Sequence, residues 1–463
     1  MISGEILFSE ITYQKIQRYY DYLLDQGIQH AGKHFKKQLN DNGTPLNELD
    51  LPTFARLLVQ SKIPKVFAES GVMHDTSDWT LGEEDILGDI STHVPVNFYN
   101  NGGHDITFVN HDAPIAAHLI YVSGALLRSD QTGNTADLNE VVVDGLFNQD
   151  LFNALYERRL LPVLMQIELQ AQAEGKVAAI TIPGIGTELF SGAHSHIIKA
   201  AFREALENVL SKHNDKFPHI DVVHYDPFSG DEPKSERIGH IDYRVCPSNL
   251  EETTGQLAYP EGTSADTHTL TSLVAWDHFS WPGNDFWPGA RATDDGVKAA
   301  STNSMEVITG VKGQYNPVTG SYAPIGFANW QALAATNGVQ FSGPMFVVDE
   351  NGNKRELTAQ PVHSAHVDEE PQLTEASSFD LSCLVPSMQV LGGFVAALGV
   401  AAVAASITML ILGTAGVGAL AVLGVVGVAA TLTGIGMFRT KNDGNKGPEP
   451  DLGEESGCSP SVQ

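Results

Sequence analysis

Residues 179–192 read AITIPGIGTELFSG, and the fold prediction starts from this stretch. An apolar run typical of a buried strand stops at Pro183, and a turn that contains Gly184 and Gly186 follows it. Helical spacing begins at about Ala193. The turn permits two interpretations. It is either an ordinary connection from a strand to a helix or a loop whose bare backbone approaches a phosphate.

The central part of the sequence repeats this alternation. Strand-like segments occur at 94–100, 176–182, 219–226 and 270–276, and helical spacing occurs at 150–173, 193–212 and from about 296. Such alternation predicts an α/β domain with helices packed on a sheet. Because ligands of these sheets bind beyond the carboxyl ends of the strands, we expect a site built from the loops 97–105, 183–192 and 277–295.

Five consecutive regions are predicted along the chain. They are a helical N-terminal region (1–75), the α/β domain (76–360), an acidic linker (361–383), an apolar hairpin (384–438) and a disordered acidic tail (439–463). Within the α/β domain, Asn351-Gly352 predicts the turn of a late β-hairpin, and Thr293 or Asp294 can cap the helix that begins near Gly296.

The composition excludes several classes of protein. The formal charge is 27 − 56 = −29, so the chain repels nucleic acid, and we predict no nucleic-acid partner. The three cysteines are far apart and show neither a disulfide framework nor a zinc spacing. We therefore expect a reducing compartment, no metal and no cofactor. The acidic N-terminus does not predict a cleaved secretory signal.

The apolar segment near the C-terminus has no Asp, Glu, Lys or Arg from 381 to 438. A membrane span needs about 20 apolar residues, so this length predicts two transmembrane helices within 384–438. The basic residues Arg439 and Lys441 predict that both flanks face the cytosol. A membrane-associated protein with a cytosolic soluble domain is the expected localisation. The alternative interpretation is a buried helical hairpin of a soluble core.

The glycine turn can bind an anion because successive N–H groups at a helix entrance form an anion site. It lacks the Gly-Lys-Ser/Thr of a P-loop, and Leu189 stands where the dinucleotide fingerprint requires glycine. From these residues alone, a phosphate loop and a tight structural turn both stay open.

A second segment, WDHFSWPGNDFWPGARATDDG (276–296), contains Asp277, Asp285 and Asp295 among several aromatic residues. Aspartates in loops often cap helices or stabilise turns. Several carboxylates in one aromatic loop also suit a ligand, because aromatic rings offer a stacking face for adenine and carboxylates can hold ribose hydroxyls or a water.

These two segments resemble the macrodomain-like ADP-ribosylhydrolases of the MavL type, which are secreted bacterial effectors. The likeness extends over about residues 90 to 360 and excludes the apolar hairpin. It implies a macrodomain-like three-layer α/β domain with an N-terminal helical region, and the complete expectation adds the C-terminal transmembrane hairpin. It also implies removal of ADP-ribose from arginine, with ubiquitin among the modified targets, by an effector injected into host cells. The predicted hairpin adds the expectation that this effector acts at a host-cell membrane.

The resemblance assigns roles residue by residue. The N–H groups of Gly184, Ile185, Gly186 and Thr187 would bind the diphosphate, with Phe190 alongside. Asn97 would belong to the first loop of the site. The carboxylates of Asp277, Asp285 and Asp295 would surround the distal ribose. Either Asp295 or Asp277 would handle the attacking water, and the adjacent Asp294 is a further candidate.

Three rival functions stay open at this stage. The first is a non-catalytic ADP-ribose reader anchored to a membrane. The second is a membrane-remodelling protein whose nucleotide domain is vestigial. The third is a metal-dependent phosphohydrolase that uses the aspartates as ligands.

Overall fold

Ten strands pair into one mixed sheet at the centre of the computed structural model. The structure describes residues 4–64, 78–103, 108–130, 133–229, 233–247, 255–341 and 343–358. All of these residues belong to one unit, Met1–Ala365.

The strands are numbered in chain order. They are β1 (Glu5–Ser9), β2 (Ser91–Asn100), β3 (Asn110–Ser123), β4 (Ser129–Asp130), β5 (Gly133–Asn134), β6 (Val142–Val143), β7 (Leu146–Phe147), β8 (Val177–Pro183), β9 (Ile220–Asp226), β10 (Lys234–Ile238), β11 (Ile241–Val245), β12 (His268–Trp276), β13 (Gly313–Asn316), β14 (Ser321–Pro324), β15 (Met345–Val348) and β16 (Lys354–Glu356). The large sheet has the order β10-β11-β9-β8-β12-β3-β2-β1-β15-β16.

The central strands β11, β9, β8, β12 and β3 all run parallel. Ser272 of β12 pairs with Thr181 on one side and with Leu119 on the other, which fixes the register of the centre. Strand β2 is antiparallel to β3, and β1 joins β2 to β15. Strands β8, β9 and β12 lie where the apolar runs predicted them, and β15 with β16 forms the hairpin predicted around Asn351-Gly352.

The helices are also numbered in chain order. They are α1 (Glu10–Gln26), α2 (Lys33–Asn42), α3 (Leu51–Val59), α4 (Leu81–Leu87), α5 (Ala136–Val141), α6 (Gln149–Glu174), α7 (Ile198–Lys212), α8 (Asp294–Ser301), α9 (Ser304–Thr309) and α10 (Trp330–Asn337). Helices α1, α2 and α3 lie within the N-terminal region 1–75, which also contributes β1 to the sheet.

Two apolar cores cover the two faces of the sheet, which is the layered arrangement that the alternation predicted. The core on one face joins α6 and α7 to the strands, and it includes Leu164, Phe202, Ile180 and Val223. The core on the other face joins the N-terminal helices and α8 and α9 to the strands, and it includes Phe54, Met305, Leu119 and Val274.

Helix α6 crosses behind the parallel strands and carries buried charge in its centre. The side chain of Asn148 caps its first turn, and Gly175 ends it in the left-handed conformation. Arg158 and Arg159 both pair with buried Asp89, at 2.6 and 3.1 Å. A buried arginine pair is tolerated only when its partners are also buried and satisfied.

The predicted fold class was wrong in one respect, the transmembrane hairpin. No helix in the described ranges is both long enough and apolar enough to cross a membrane. The longest, α6, contains Glu157, Arg158, Arg159 and Glu168 and fits a buried helix of a globular domain. The fold class is therefore corrected to a mixed α/β domain on a ten-stranded sheet, with the macrodomain-like character retained.

The localisation inferred from that hairpin is withdrawn for the same reason. A membrane-associated protein with its soluble domain facing the cytosol required a membrane span, and the described residues provide none. The segment 384–438 itself lies outside the described residues, as do the predicted linker 361–383 and tail 439–463.

Candidate functional site

Three loops meet where β3, β8 and β12 end. These strands are parallel neighbours, so their carboxyl ends lie at the same edge of the sheet, here called the exit edge. The Ser123 hydroxyl donates to the Asp277 carbonyl at 3.0 Å, and the Gly124 N–H donates to the Trp276 carbonyl at 3.2 Å. The Leu127 N–H donates to the Phe190 carbonyl at 2.7 Å. The glycine turn (184–187) and the segment 276–296, here called the aspartate segment, therefore flank one shared loop, 124–128.

Strand β2 does not carry the described part of the loop 97–105 to this edge, although the Gly103 carbonyl accepts a hydrogen bond from Arg291 of the segment 276–296 at 3.0 Å. Because β2 is antiparallel to β3, its carboxyl end points to the opposite edge of the sheet. Asn97 lies inside β2, pairs with Ala116, and donates its N–H to the Asn303 side chain at 2.7 Å. The sequence analysis missed the loop 124–128, which takes the third position. The direction of a strand depends on its partner, and that pairing is not visible in a local pattern.

The glycine turn packs against the loop 124–128 backbone to backbone. Gly186 has a φ of +75°, and an added Cβ would lie 2.8 Å from the Ala125 nitrogen. A Cβ at Gly124 would collide with Gly186. Glycine is required at both positions because no side chain fits between the two loops.

Part of the backbone of the turn has no hydrogen-bond partner among the described residues. The Thr187 N–H and hydroxyl both bond to the Gly184 carbonyl, at 3.4 and 3.0 Å, so they stabilise the turn itself. The N–H groups of Ile185 and Gly186 donate to no group among the described residues. Two unpaired N–H groups in succession suit an anion.

Tyr156 of α6 connects the glycine turn to the loop 124–128. Its hydroxyl donates to the Ile185 carbonyl at 2.8 Å and accepts the Ala125 N–H at 3.0 Å. The side chain is fully buried, and burial raises the pKa of Tyr156, so the hydroxyl stays protonated. One hydroxyl group therefore sets the distance between the glycine turn and the loop 124–128.

Phe228, at the exit of β9, is a second residue that the sequence analysis missed. Its φ of +63° is uncommon for a residue with a side chain, and strained backbone of this kind often occurs at functional sites. The Asp226 carboxylate accepts the Phe228 N–H at 2.8 Å and holds this conformation. A Cβ at Gly184 would lie 3.6 Å from the Phe228 ring, so this half-buried ring stands against the glycine turn.

Asp277 and Asp285 are buried and saturated with hydrogen bonds. The Asp277 carboxylate accepts the N–H groups of Phe279 and Ser280, the Ser280 hydroxyl and the Asn284 amide. The Asp285 carboxylate accepts N–H groups of the segment 292–293 and the Thr293 hydroxyl. Both side chains organise the segment in which they lie, as aspartates in turns commonly do.

Asp295 differs from these two. Its Oδ1 atom accepts the Gly283 N–H at 2.8 Å, while its buried Oδ2 atom has no partner among the described residues. Burial, with the nearby carboxylates of Asp285, Asp277 and Asp294, raises the pKa of Asp295 well above its usual range. This carboxyl group therefore keeps its proton to higher pH than an ordinary aspartate does.

Asp294 is half-buried at the start of α8. Its carboxylate accepts the Ala275 N–H at 2.9 Å and pairs with buried Lys298 at 3.1 Å. Helix α8 is capped by Thr293, whose hydroxyl accepts the Gly296 N–H. The helix thus carries a neutral carboxyl group and an ion-paired carboxylate in its first turn. Such a pair suits acid–base chemistry.

The aromatic residues of the segment belong to the core. Their ring systems are at most 7% exposed, and they are Trp276, Trp281, Phe286 and Trp287. Their expected role as a stacking face for adenine therefore does not fit this conformation. Phe228 and Phe190, both half-buried beside the glycine turn, are better placed for a ligand.

Asp137 of α5 connects the aspartate segment to the loop 124–128. Its carboxylate accepts the Leu126 N–H at 2.8 Å, bonds to His278 Nε2 at 3.0 Å and pairs with Arg159 at 2.6 Å. Burial alone would raise the pKa of Asp137, but Arg159 and His278 hold it well below its usual range. Burial lowers the pKa of His278, so its neutral ring donates Nε2–H to a charged Asp137.

The described residues contain no group of three or more His, Cys, Asp or Glu side chains that could hold a metal ion.

Comparison with known proteins identifies a family. The model of the macrodomain effector MavL matches residues 4–326. Because this match covers well over half of the chain, the protein belongs to the MavL macrodomain effector family. The family resemblance seen in the glycine turn and the aspartate segment is thereby confirmed.

A curated relative gives a second finding. The chain is 25% identical over 175 residues to a Drosophila melanogaster protein named ADP-ribosylarginine hydrolase. The match covers 36% of this chain and about a third of the relative, 33% of its length. Together the two comparisons support an activity related to ADP-ribose at the level of the family.

We predict that Tyr156→Phe loosens the glycine turn. The change removes the hydroxyl that pairs with Ala125 and Ile185 and leaves a buried N–H without a partner. The free energy of unfolding should fall by about 1–3 kcal/mol. Urea unfolding of both proteins measures it, with Tyr22→Phe as the control because Tyr22 is 46% exposed. An equal loss of unfolding free energy in the two variants would contradict the role of the Tyr156 hydroxyl as a link between Ala125 and Ile185.

We also predict that Asp295→Asn changes the pH dependence of stability. A raised pKa means that the folded protein holds this proton more tightly than the unfolded chain does. The stability contributed by neutral Asp295 is complete below the unfolded pKa and is lost as pH rises. Asparagine is always neutral, so the variant should gain stability relative to wild type as pH rises above the unfolded pKa of about 4. A constant difference across this pH range would show that Asp295 is not neutral when folded.

Proposed function

We propose that this member of the MavL macrodomain effector family is an ADP-ribosylhydrolase that removes ADP-ribose from modified protein side chains. The observation that carries the proposal is the unpartnered carboxyl oxygen of Asp295, in the segment that shares the exit edge with the glycine turn. An anion-binding turn and a neutral carboxyl group at one edge suit a substrate with a diphosphate next to a labile glycosidic bond.

The diphosphate would bind at the turn Gly184–Thr187. The unpaired N–H groups of Ile185 and Gly186 supply donors, and the absence of side chains lets the phosphates approach the backbone. Phe228 stands beside Gly184 and offers its ring to the adenine, since aromatic faces stack on nucleobases. The distal ribose would then extend towards the aspartate segment.

The reaction breaks the bond between the anomeric carbon and the side-chain nitrogen of the target. Positive charge develops on the anomeric carbon, and the ion-paired carboxylate of Asp294 can stabilise it and accept a proton from the attacking water. Asp295 is 1% exposed in this conformation, so the bound substrate would have to uncover it before it gives its proton to the leaving nitrogen. Solvent then returns a proton to Asp295 and removes the one held by Asp294.

This assignment gives Asp277 and Asp285 a positioning role. Their carboxylate oxygens are occupied by donors of their own segment, so neither has an oxygen free for the ribose. A Cβ at Gly296 would collide with the Asp285 carboxylate, which shows how closely α8 packs on it. These two aspartates would hold Asp294 and Asp295 at the edge.

Hydrolysis by the full-length chain tests the proposal. We expect the full-length chain to release free ADP-ribose from a protein modified on arginine. Mass spectrometry of the target protein measures the loss of the modification. Asp295→Asn and Asp294→Asn should each lower kcat by about a hundredfold or more, because each removes one proton-transfer group. The control is Asp112→Asn, which changes an exposed aspartate on β3.

The rival function, a non-catalytic ADP-ribose reader, predicts a different result. A reader would bind ADP-ribose tightly in calorimetry and leave the modified protein intact. Retention of the label after prolonged incubation with folded protein would therefore exclude the enzyme. Wild-type activity in both Asp294→Asn and Asp295→Asn would exclude the assigned roles but not hydrolysis.

A separate prediction concerns the adenine. Phe228→Ala should weaken ADP-ribose binding by about tenfold, since stacking of one base contributes about 1–3 kcal/mol. Binding of ribose 5-phosphate, which has no base, should not change. The control is Phe346→Ala, a half-buried phenylalanine on β15. If Phe228→Ala weakens the binding of ADP-ribose and of ribose 5-phosphate by the same factor, Phe228 acts on the glycine turn and not on the base.

The linkage and the target are part of the proposal. Arginine is the linkage we propose, in line with the name of the Drosophila relative. Ubiquitin stays a prediction from the resemblance. Faster release from ADP-ribosylated ubiquitin than from other proteins modified on arginine would support it, and equal rates would count against it.

A further inference from the structure

The N-terminal region contacts the aspartate segment through residues 62 and 63, shortly after α3. Ile63 and Ser280 form a parallel β-bridge. The Ile63 N–H donates to the Phe279 carbonyl, and the Trp281 N–H donates to the Ile63 carbonyl, both at 2.9 Å. The Trp281 indole N–H donates to the Lys62 carbonyl at 2.7 Å. A short piece of extended chain therefore fixes the segment 279–281 from the side.

The pairing of residues 62–63 with 279–281 is here called the anchor. The Lys62 side chain adds a charged contact to it. Its Nζ atom donates to the His278 carbonyl at 2.5 Å and to the carbonyls of Leu87 and Asp277 at 3.4 and 3.5 Å. It also lies 3.9 Å from the centre of the Trp276 ring. The residue is 1% exposed. Burying an ammonium group is costly, and these carbonyls and the ring are what compensate for it.

The carbonyls that Lys62 holds belong to the start of the aspartate segment. The Asp277 side chain binds the N–H groups of residues 279 and 280 and the Asn284 amide, and Gly283 binds the Asp295 carboxyl group. A displacement at 277–278 can therefore pass to Asp295 through the Asp277–Asn284 hydrogen bond, the adjoining backbone of Gly283 and the Gly283–Asp295 hydrogen bond.

We propose that Lys62 is a positioning residue for hydrolysis, which holds the main chain of Asp277 and His278 so that Asp295 meets the substrate correctly. The proposal rests on the proposed function. It assigns to the N-terminal region a part in catalysis that neither the comparisons nor the motifs of the sequence indicate.

The charges around Lys62 predict a pH effect as well. The ionisable groups that face it are Asp277 and His278 from the exit of β12 and Arg159 from α6. Burial lowers the pKa of Lys62 to about 7, with Asp277 opposing and Arg159 adding to the effect. Above that pH the ammonium becomes an amine with one donor fewer, and the hold on the carbonyls weakens.

The test compares Lys62→Met with wild type in the full-length chain. We expect kcat to fall by about tenfold to a hundredfold, because small misplacements of catalytic groups are costly. The Kd for ADP-ribose should stay within about twofold, since the glycine turn is not part of the anchor. Wild-type kcat should decline above about pH 7, and this decline should be absent from the variant.

Lys354→Met is the matched control. Lys354 also lies 3.9 Å from an aromatic ring, that of Phe346, but it belongs to β16 at the far end of the sheet. Its loss should leave kcat unchanged. Amide hydrogen exchange in Lys62→Met should become faster in residues 277–284 and not in residues 184–192, whether or not the protein is an enzyme.

Two results would overturn the proposal. One is an unchanged kcat in folded Lys62→Met, and the other is unchanged exchange in residues 277–284. If Lys62→Met does not fold, Trp281→Phe decides the matter, because it removes the indole donor to the Lys62 carbonyl, keeps an aromatic ring in the core and should lower kcat in the same way. If wild type shows no hydrolysis, the proposed function fails, and the exchange experiment still tests the anchor.

Discussion

The site depends on the buried carboxylate of Asp137. This one side chain holds the Leu126 N–H of the loop after β3 and the His278 ring of the segment after β12, while Arg159 balances its charge. An uncompensated carboxylate at this depth would be very costly, so the surrounding groups are fixed as a set. Tyr156 extends the arrangement to the glycine turn. The relative positions of three loops thus follow from two side chains on adjoining helices.

The elements with strong local patterns could be predicted from the sequence. Helix α6 was expected at 150–173 and occupies Gln149–Glu174. For the N-cap of α8 the sequence offered Thr293 or Asp294, and the structure shows that Thr293 is the cap. The glycine turn and the aspartate segment were expected at one edge because ligands of α/β sheets bind beyond the carboxyl ends of the strands. These predictions rest on periodicity and on short-range chemistry, which a single sequence contains.

The parts that could not be predicted depend on contacts between distant residues. Asp137 and His278 are 141 residues apart, and Lys62 is 216 residues from His278. No local pattern marks such pairs. The orientation of β2 is a similar case, since only its pairing with β3 shows that Asn97 lies away from the exit edge. The tryptophans were misjudged because a residue that can stack on a ligand can equally fill a core.

The central claim is that one ligand contacts both the glycine turn and the aspartate segment at the exit edge. Hydrogen exchange with and without ADP-ribose tests it most directly, because exchange reports each loop separately. We expect slower exchange in residues 184–192 and in residues 277–295 at the same ADP-ribose concentration. Protection of only one of these segments, or protection confined to another part of the chain, would contradict the account.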